Sequence, residues 1–196
     1  MGKTIFIALR VTAVTLFVTG IVYPLAATLT AQIAFPRQAN GSMLSNGDGV
    51  EIGSSLIAQA FSSPAYFHPR PSAAGANGWD ASASSGTNLG PTSRKLRDRA
   101  QTEVKRLLDE NPEARPPVPG ELVTASASGL DPHLSPEAVR WQVPRVARAR
   151  GVPEERVRRL AESHIESRTL GVLGEPRVNV LLVNLALDQR FGRPAR

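Results

Sequence analysis

The sequence predicts an α+β soluble domain preceded by one N-terminal transmembrane helix. Three observations predict it. An uncharged, largely apolar run extends from Val11 to Ala34, behind a start whose charges are Lys3 and Arg10. Beyond it, stretches of helical periodicity alternate with short apolar runs, separated by turns rich in Gly and Pro, which number 16 each in 196 residues. Cysteine is absent, so the fold rests on burial without disulfides, and thiolate zinc sites, iron–sulfur clusters and cysteine nucleophiles are excluded.

The chain divides into a cytoplasmic amino terminus (1–10), a membrane helix (11–34), a tether (35–49) and an outward-facing α+β domain (50–196). As a helix, the first ~21 residues of the apolar run span about 31 Å at ~1.5 Å per residue, close to the ~30 Å hydrocarbon core. A cleaved signal peptide shares the basic start, but the run exceeds an h-region of ~7–15 residues and no Ala-x-Ala follows it. Lys3 and Arg10 keep the amino end in the cytoplasm under the positive-inside rule. That places the rest of the chain in the periplasm, held by an inner-membrane anchor.

Within the span, Thr12, Thr15 and Thr19 share one helical stripe, and Ala13, Gly20 and Ala27 recur beside it at seven-residue spacing. Lipid tails offer helices no hydrophobic incentive to associate, so small and hydroxylated residues favour a packing face for another membrane subunit. Pro24 has no amide hydrogen and is expected to loosen the last turns near Gly20.

The segment from Pro36 to Gly53 is polar and Gly/Asn-rich, the composition of a flexible tether. Ser54–Phe61 is apolar with ambiguous periodicity, and Pro64, Pro69 and Pro71 force an extended course after it. A helix is expected from about Thr92 to Asn111, carrying Leu96, Ala100, Val104, Leu107 and Leu108 on one side. Leu122-Val123-Thr124 reads as a short strand. Ser135 caps a helix with Pro136 at its first position, interrupted at Pro144 and ended by Gly151. Pro153 begins another helix to about Arg168, and the apolar run Val178–Leu187 closes the core as strand, helix, or strand into helix.

The net charge of +6 admits an anionic partner. However, basic residues between Arg94 and Arg159 alternate with Asp98, Glu103, Asp109, Glu110, Glu113, Glu137, Glu154 and Glu155, so no single-sign stripe forms and no nucleic-acid partner is expected. Ser126, Ser128, Asp131 and His133 invite a hydrolase reading. Closeness in sequence is the wrong geometry for a triad, and the nucleophile-elbow Gly is missing two residues before Ser128. The bland alternative is a loop whose Ser and Asp side chains bind backbone amides and cap the next helix. His68 and His164 lie in unrelated contexts, so no metal site is expected. The small, hydroxylated loop Ser84–Gly90 is of a kind that can cradle an anion, but no Walker pattern accompanies it.

Several stretches together resemble the C subunit of the bacterial Kdp potassium-transporting ATPase: GSSLIAQAF (53–61), PAYFHPRPSAA (64–74), SSGTNLGPTS (84–93), VTASASGLDPHLSPEAVRWQVPRVARARG (123–151) and LGEPRVNVLLVNLALD (173–188). With the membrane segment they cover nearly the whole chain in the family's order. Ser85 and Thr87 depart from the family's usual Ser-Gly-Gly-Ser-Asn-Leu-Gly loop. The resemblance implies a complex with a channel-like potassium-binding subunit, a P-type ATP-hydrolysing subunit and a very small membrane subunit, in contact with membrane lipid. This chain would be the non-catalytic member, needed for assembly and acting as a catalytic chaperone that raises the hydrolysing subunit's ATP affinity. ATP is the one cofactor the resemblance suggests, at Ser84, Ser85, Gly86, Thr87 and Asn88; none is expected to bind firmly.

The topology read from length and charge conflicts with direct contact to cytoplasmic ATP, so any effect must pass through the complex. On this reading the domain covers part of the external ion path, where Asp131 and Asp188 are candidates to attract cations, with His133 beside Asp131 in a structural loop. The alternatives are a cytoplasmic domain that binds nucleotide directly and a membrane-anchored periplasmic hydrolase.

Overall fold

The computed structural model describes residues 1–46 and 49–194, and it divides into two compact units, Met1–Ser54 and Ser55–Arg196. The first unit begins with one helical rod of 33 residues, Gly2–Ala34, none of it buried. It comprises α1 (Gly2–Phe17), one wider π turn (Val18–Val22) and α2 (Tyr23–Ala34). The Tyr23 amide donates to the carbonyl of Val18, five residues back, just before Pro24. Pro24 has no hydrogen for the Gly20 carbonyl, and the helix absorbs this by one wider turn at mid-span instead of fraying at its end. At ~1.5 Å per residue the rod is about 50 Å long, ample for a single membrane crossing.

The expected flexible tether is largely ordered. Pro36–Ala39 forms a short helix, α3, and β1 (Met43–Ser45) pairs antiparallel with β2 (Glu51–Ser54), Leu44 opposite Gly53. Ser54 donates to the carbonyl of Gly41, holding the hairpin onto its own approach. Asp48, in the expected tether, lies outside the described residues.

The second unit is α+β. After an irregular proline-rich stretch come α4 (Arg94–Glu110), a 3-10 turn (Gly120–Leu122), β3 (His133–Leu134), α5 (Pro136–Arg150), α6 (Glu154–Glu162), β4 (Ile165–Glu166), β5 (Arg177–Asn179) and α7 (Val180–Phe191). The three strands form an open antiparallel sheet in the order β3-β5-β4, with Leu134 and Ile165 both opposite Val178. Phe67, Leu134, Val143, Val146, Val157, Val178, Val183 and Leu187 form the centre of the core.

Caps fix the helix ends as their chemistry requires. The Ser135 hydroxyl accepts from the Ala138 amide, and Gly151 ends α5 in the left-handed conformation, φ +62°. Asn179 accepts from the Leu182 amide, turning β5 directly into α7. Three expectations change. Residues 120–122 form a 3-10 turn instead of the strand read at Leu122–Thr124, because the Glu121 carboxylate accepts from the amide and hydroxyl of Ser135. Helix α5 runs unbroken through Pro144, held on either side of it by the fully buried Val143 and Val146. Helix α6 stops at Glu162, since the chain then pairs Ile165 with Val178.

Candidate functional site

After a turn closed by the Tyr66 amide donating to the Ser63 carbonyl, residues 67–70 form no regular element, and two helix side chains serve their backbone as a strand would. Asn184 on α7 accepts from the Phe67 amide and donates to the Phe67 carbonyl, both at 2.9 Å. Gln142 on α5 does the same for His68, at 2.9 and 3.1 Å. Arg145, 3% exposed, donates to the carbonyls of Pro64 and Tyr66 and to the Gln142 side chain. Burial lowers its pKa from the ordinary 12.5 to about 10, so it stays charged at neutral pH. His68 Nε2 lies 3.0 Å from the carbonyl of Ser63 and 3.4 Å from the Arg145 guanidinium. Burial and the neighbouring Arg145 charge press the His68 pKa down to about 4, so the ring is neutral at pH 7.

The segments of the family-like pattern meet at a second knot. Ser72 donates to the carbonyl of Gly129 at 2.6 Å and accepts from the amides of Ala74 and Trp79. Ser84 donates to the carbonyl of Ser128, and Ser85 to that of Ala73, both at 2.9 Å. A methyl group on Gly86 would stand 2.8 Å from the Ala127 carbonyl oxygen. Gly86 therefore permits close approach of two loops. Asn88 takes a left-handed turn, φ +52°, after Thr87. The hydroxyl hydrogens of Ser84 and Ser85 are thus engaged by backbone carbonyls, so a phosphate at this loop would have to be held by backbone amides.

The remaining candidates are equally engaged. Asp131 accepts from Arg70 at 3.4 Å and from the His133 amide at 3.0 Å, with the His133 ring 3.6 Å away. Burial alone would raise its pKa, but the His133 and Arg70 contacts outweigh this and lower it. Ser128 accepts from the amide of Leu130, while Ser126 is buried and its carbonyl accepts from Gly129. These are turn contacts, and they turn Ser128 to its own loop instead of to an imidazole. Asp188 accepts from Arg150 at 2.8 Å and from the Tyr66 hydroxyl at 2.9 Å, and the Arg150 guanidinium stacks 4.9 Å over the Tyr66 ring. Both carboxylates proposed to attract cations are thus matched by arginines. His164 lies against the carbonyl of Leu160. Among the described residues, no three His, Asp or Glu side chains gather as metal ligands.

Beside the knot lies a cleft of about 450 Å³, with Phe61, Pro71, Trp79 and Leu122 forming apolar walls and Arg99, Glu103, Arg106 and Glu110 a charged one. Arg106 bridges Glu103 and Glu110 at 2.8 and 2.6 Å. Sequence reasoning missed this cleft and the clamp on residues 64–70. Glu103, Arg106 and Glu110 at helical spacing on α4 were the available signal for the charged wall.

In the membrane rod, Thr12, Ala13, Thr15, Thr19, Gly20 and Ala27 are all exposed. Thr19 donates to the Thr15 carbonyl at 2.8 Å, satisfying its hydroxyl within the helix. A side chain at Gly20 would meet no atom within 4 Å.

Comparison with known proteins agrees with this arrangement of segments. The chain is 62% identical over 98% of its length to the potassium-transporting ATPase KdpC subunit of Myxococcus xanthus, covering 90% of that protein. It is 52% identical over 97% of its length to the KdpC subunit of Rhodospirillum rubrum, covering 98% of it, and 52% identical over 96% to that of Koribacter versatilis, covering 95%. Residues 5–189 match the family model described as KdpC, the K+-transporting ATPase c chain, and the chain belongs to that family.

Proposed function

We propose that this chain is the non-catalytic accessory subunit of an ATP-driven potassium uptake complex in the inner membrane. The observation that carries the proposal is the family match over residues 5–189, which takes in the membrane helix and the α+β domain together. Its partners are the channel-like potassium-binding subunit, the P-type ATP-hydrolysing subunit and the very small membrane subunit. The face made by Thr12, Ala13, Thr15, Thr19, Gly20 and Ala27 packs on the potassium-binding subunit. Lys3 and Arg10 hold the amino end in the cytoplasm, and residues 50–196 lie in the periplasm at the external ion entrance.

The subunit stabilises the assembly and raises the ATP affinity of the hydrolysing subunit at a distance. An effector does this by preferring the conformation that binds ATP, and linkage requires ATP in turn to tighten the effector's hold on the complex. The Ser84 and Ser85 hydroxyls, each donating to a backbone carbonyl and so without a hydrogen to offer a nucleotide, support this indirect route over direct contact.

Topology provides the test. The chain has no cysteine, so Asn46→Cys gives one reporter thiol. Labelling of intact cells by a membrane-impermeant reagent is the expected result. Labelling only after permeabilisation would sink the periplasmic placement and favour the cytoplasmic nucleotide-binding alternative. Removing the outer domain while keeping the helix should impair assembly or potassium uptake; unchanged stoichiometry and uptake would reject the proposed role.

A further inference from the structure

Three arginines surround one pocket on the soluble domain. Arg156 and Arg159 on α6 and Arg190 on α7 line a space of about 490 Å³ whose apolar floor is Leu160 and Phe191. Both floor residues are partly buried and pack against the core, so the floor is fixed to the fold. The Arg156 guanidinium stands 5.1 Å from the centre of the Phe191 ring, a cation–π contact that holds it in place above the floor.

Most of the charge around this pocket is unanswered. Arg159 pairs with Glu155 at 3.2 Å, a contact exposed on both sides. The other nearby carboxylates are engaged elsewhere: Glu154 by Arg158, Glu162 by Arg140 and Asp188 by Arg150. Among the described residues no carboxylate pairs with Arg156, Arg190 or Arg193. The stretch QRFGRP at 189–194 adds two cations and no acid. The family match ends at residue 189, so the pocket is completed by Arg190 and Phe191 from outside the matched pattern.

Charge and shape together select the occupant. Guanidinium groups bind phosphate and carboxylate oxygens through paired hydrogen bonds, which makes the ligand an anion. The apolar floor between the cations calls for a carbon stem directly behind the anionic group. A carboxylate side chain of another protein would fill only a small part of a pocket this large. A second copy of this chain, itself at net charge +6, would bring like charge to like. An anionic phospholipid has both parts, a phosphate without a cationic neighbour and a glyceryl stem. The chain's own 33-residue apolar helix keeps the domain beside a bilayer, so headgroups are present at high effective concentration.

We propose that Arg156, Arg159 and Arg190 hold the phosphate of an anionic membrane phospholipid, with its stem against Leu160 and Phe191. The site goes beyond the accessory-subunit reading and does not depend on which side of the membrane the domain occupies, because a bilayer presents headgroups on both.

The test uses the full chain in nanodiscs. Gln189 is exposed and adjoins Arg190, and the chain has no cysteine, so Gln189→Cys carries a single environment-sensitive dye. Discs of phosphatidylcholine alone are compared with discs containing about 30% phosphatidylglycerol, in about 0.15 M salt. The expected result is a blue-shifted probe that is severalfold less quenchable only where phosphatidylglycerol is present. The Arg156→Gln, Arg190→Gln double variant should lose most of this protection, each cation near an anionic surface being worth a factor of about five. Both arginines are exposed, so its melting temperature should match the wild type. Arg140→Gln, Arg158→Gln removes the same charge from outside the pocket and should keep the protection. Equal loss in the two double variants overturns the site in favour of general electrostatic attraction. The same shift produced by inorganic phosphate in phosphatidylcholine discs overturns the lipid source in favour of a soluble phosphate. A shift that appears only when the other subunits are bound, without phosphatidylglycerol, overturns it in favour of an acidic protein face. No shift under any of these conditions rejects the site outright.

Discussion

The side-chain amide of Asn184 lies against the backbone of Phe67 as a neighbouring strand would, accepting from its N–H and donating to its carbonyl at 2.9 Å each. Asn184 is 2% exposed and Phe67 fully buried, so no water can replace these bonds. Asn184→Ala therefore leaves a buried donor and a buried acceptor unsatisfied and opens a small cavity. It should destabilise the domain by about 3 kcal/mol. Urea unfolding of the full chain in detergent measures this; a change under 0.5 kcal/mol would show that the segment does not depend on the clamp.

His68 makes the same segment sensitive to acid. Its pKa is lowered from 6.5 to about 4 in the folded chain, so the unfolded chain binds a proton more readily. The stability this neutral ring contributes is complete above pH 6.5 and is lost as the pH falls toward 4, by roughly 2–3 kcal/mol. Melting temperatures between pH 7.5 and 4.5 should decline more steeply for the wild type than for His68→Gln, which keeps a polar side chain but cannot titrate. Parallel profiles would reject the assignment.

How much of this could be read in advance follows from the range of each interaction. The cap at Ser135 and the stop at Gly151 were legible because donor and acceptor lie within a few residues, whereas the run Val178–Leu187 was left open between strand, helix and strand into helix. The clamp was not legible. Gln142 and Asn184 sit 74 and 117 positions from the backbone they satisfy, and in a linear reading they are ordinary polar residues within helices. The misread strand at 122–124 has the same origin, since Glu121 is set by its bond to Ser135, 14 residues on. For the candidate site, the residues of the 84–88 loop were identified but not their direction. Only the folded arrangement shows Ser84 and Ser85 donating to the carbonyls of Ser128 and Ala73.

Asp188 tests whether a carboxylate near a transport complex handles ions or holds a fold. Its partner Arg150 has a side chain only 2% exposed. Asp188→Asn keeps the shape but leaves that guanidinium without a counter-charge, which should cost about 3 kcal/mol. In complexes that still assemble, the potassium concentration for half-maximal uptake should be unchanged. A tenfold shift in that concentration with unaltered stability would restore Asp188 as an ion-attracting group.

Gly86 discriminates packing from phosphate binding in the same manner. Gly86→Ala drives a methyl group to 2.8 Å from the Ala127 carbonyl oxygen, a contact neither backbone can easily yield. Expected losses are about 1–3 kcal/mol, the usual range for overpacking. Gly90→Ala meets no atom within 4 Å and serves as the control. If ATP affinity of the complex fell for both variants while melting temperature fell for neither, the loop would be acting on nucleotide.

In the membrane rod, intrinsic helix preference and partner packing pull Gly20 in opposite directions. In the isolated chain, Gly20→Leu has open space around it and replaces the poorest helix former after proline, so the helix should be stabilised by up to about 1 kcal/mol. In the assembly, the same side chain would separate two backbones that glycine lets approach closely. Co-purification with the other membrane subunits should then fall severalfold, while Val14→Ile, on the side of the helix opposite the Thr and small-residue stripes, leaves it unchanged. Equal retention of both variants would move the packing face to another side of the helix, whereas loss at Gly20 alone ties the small-residue stripe to subunit contact.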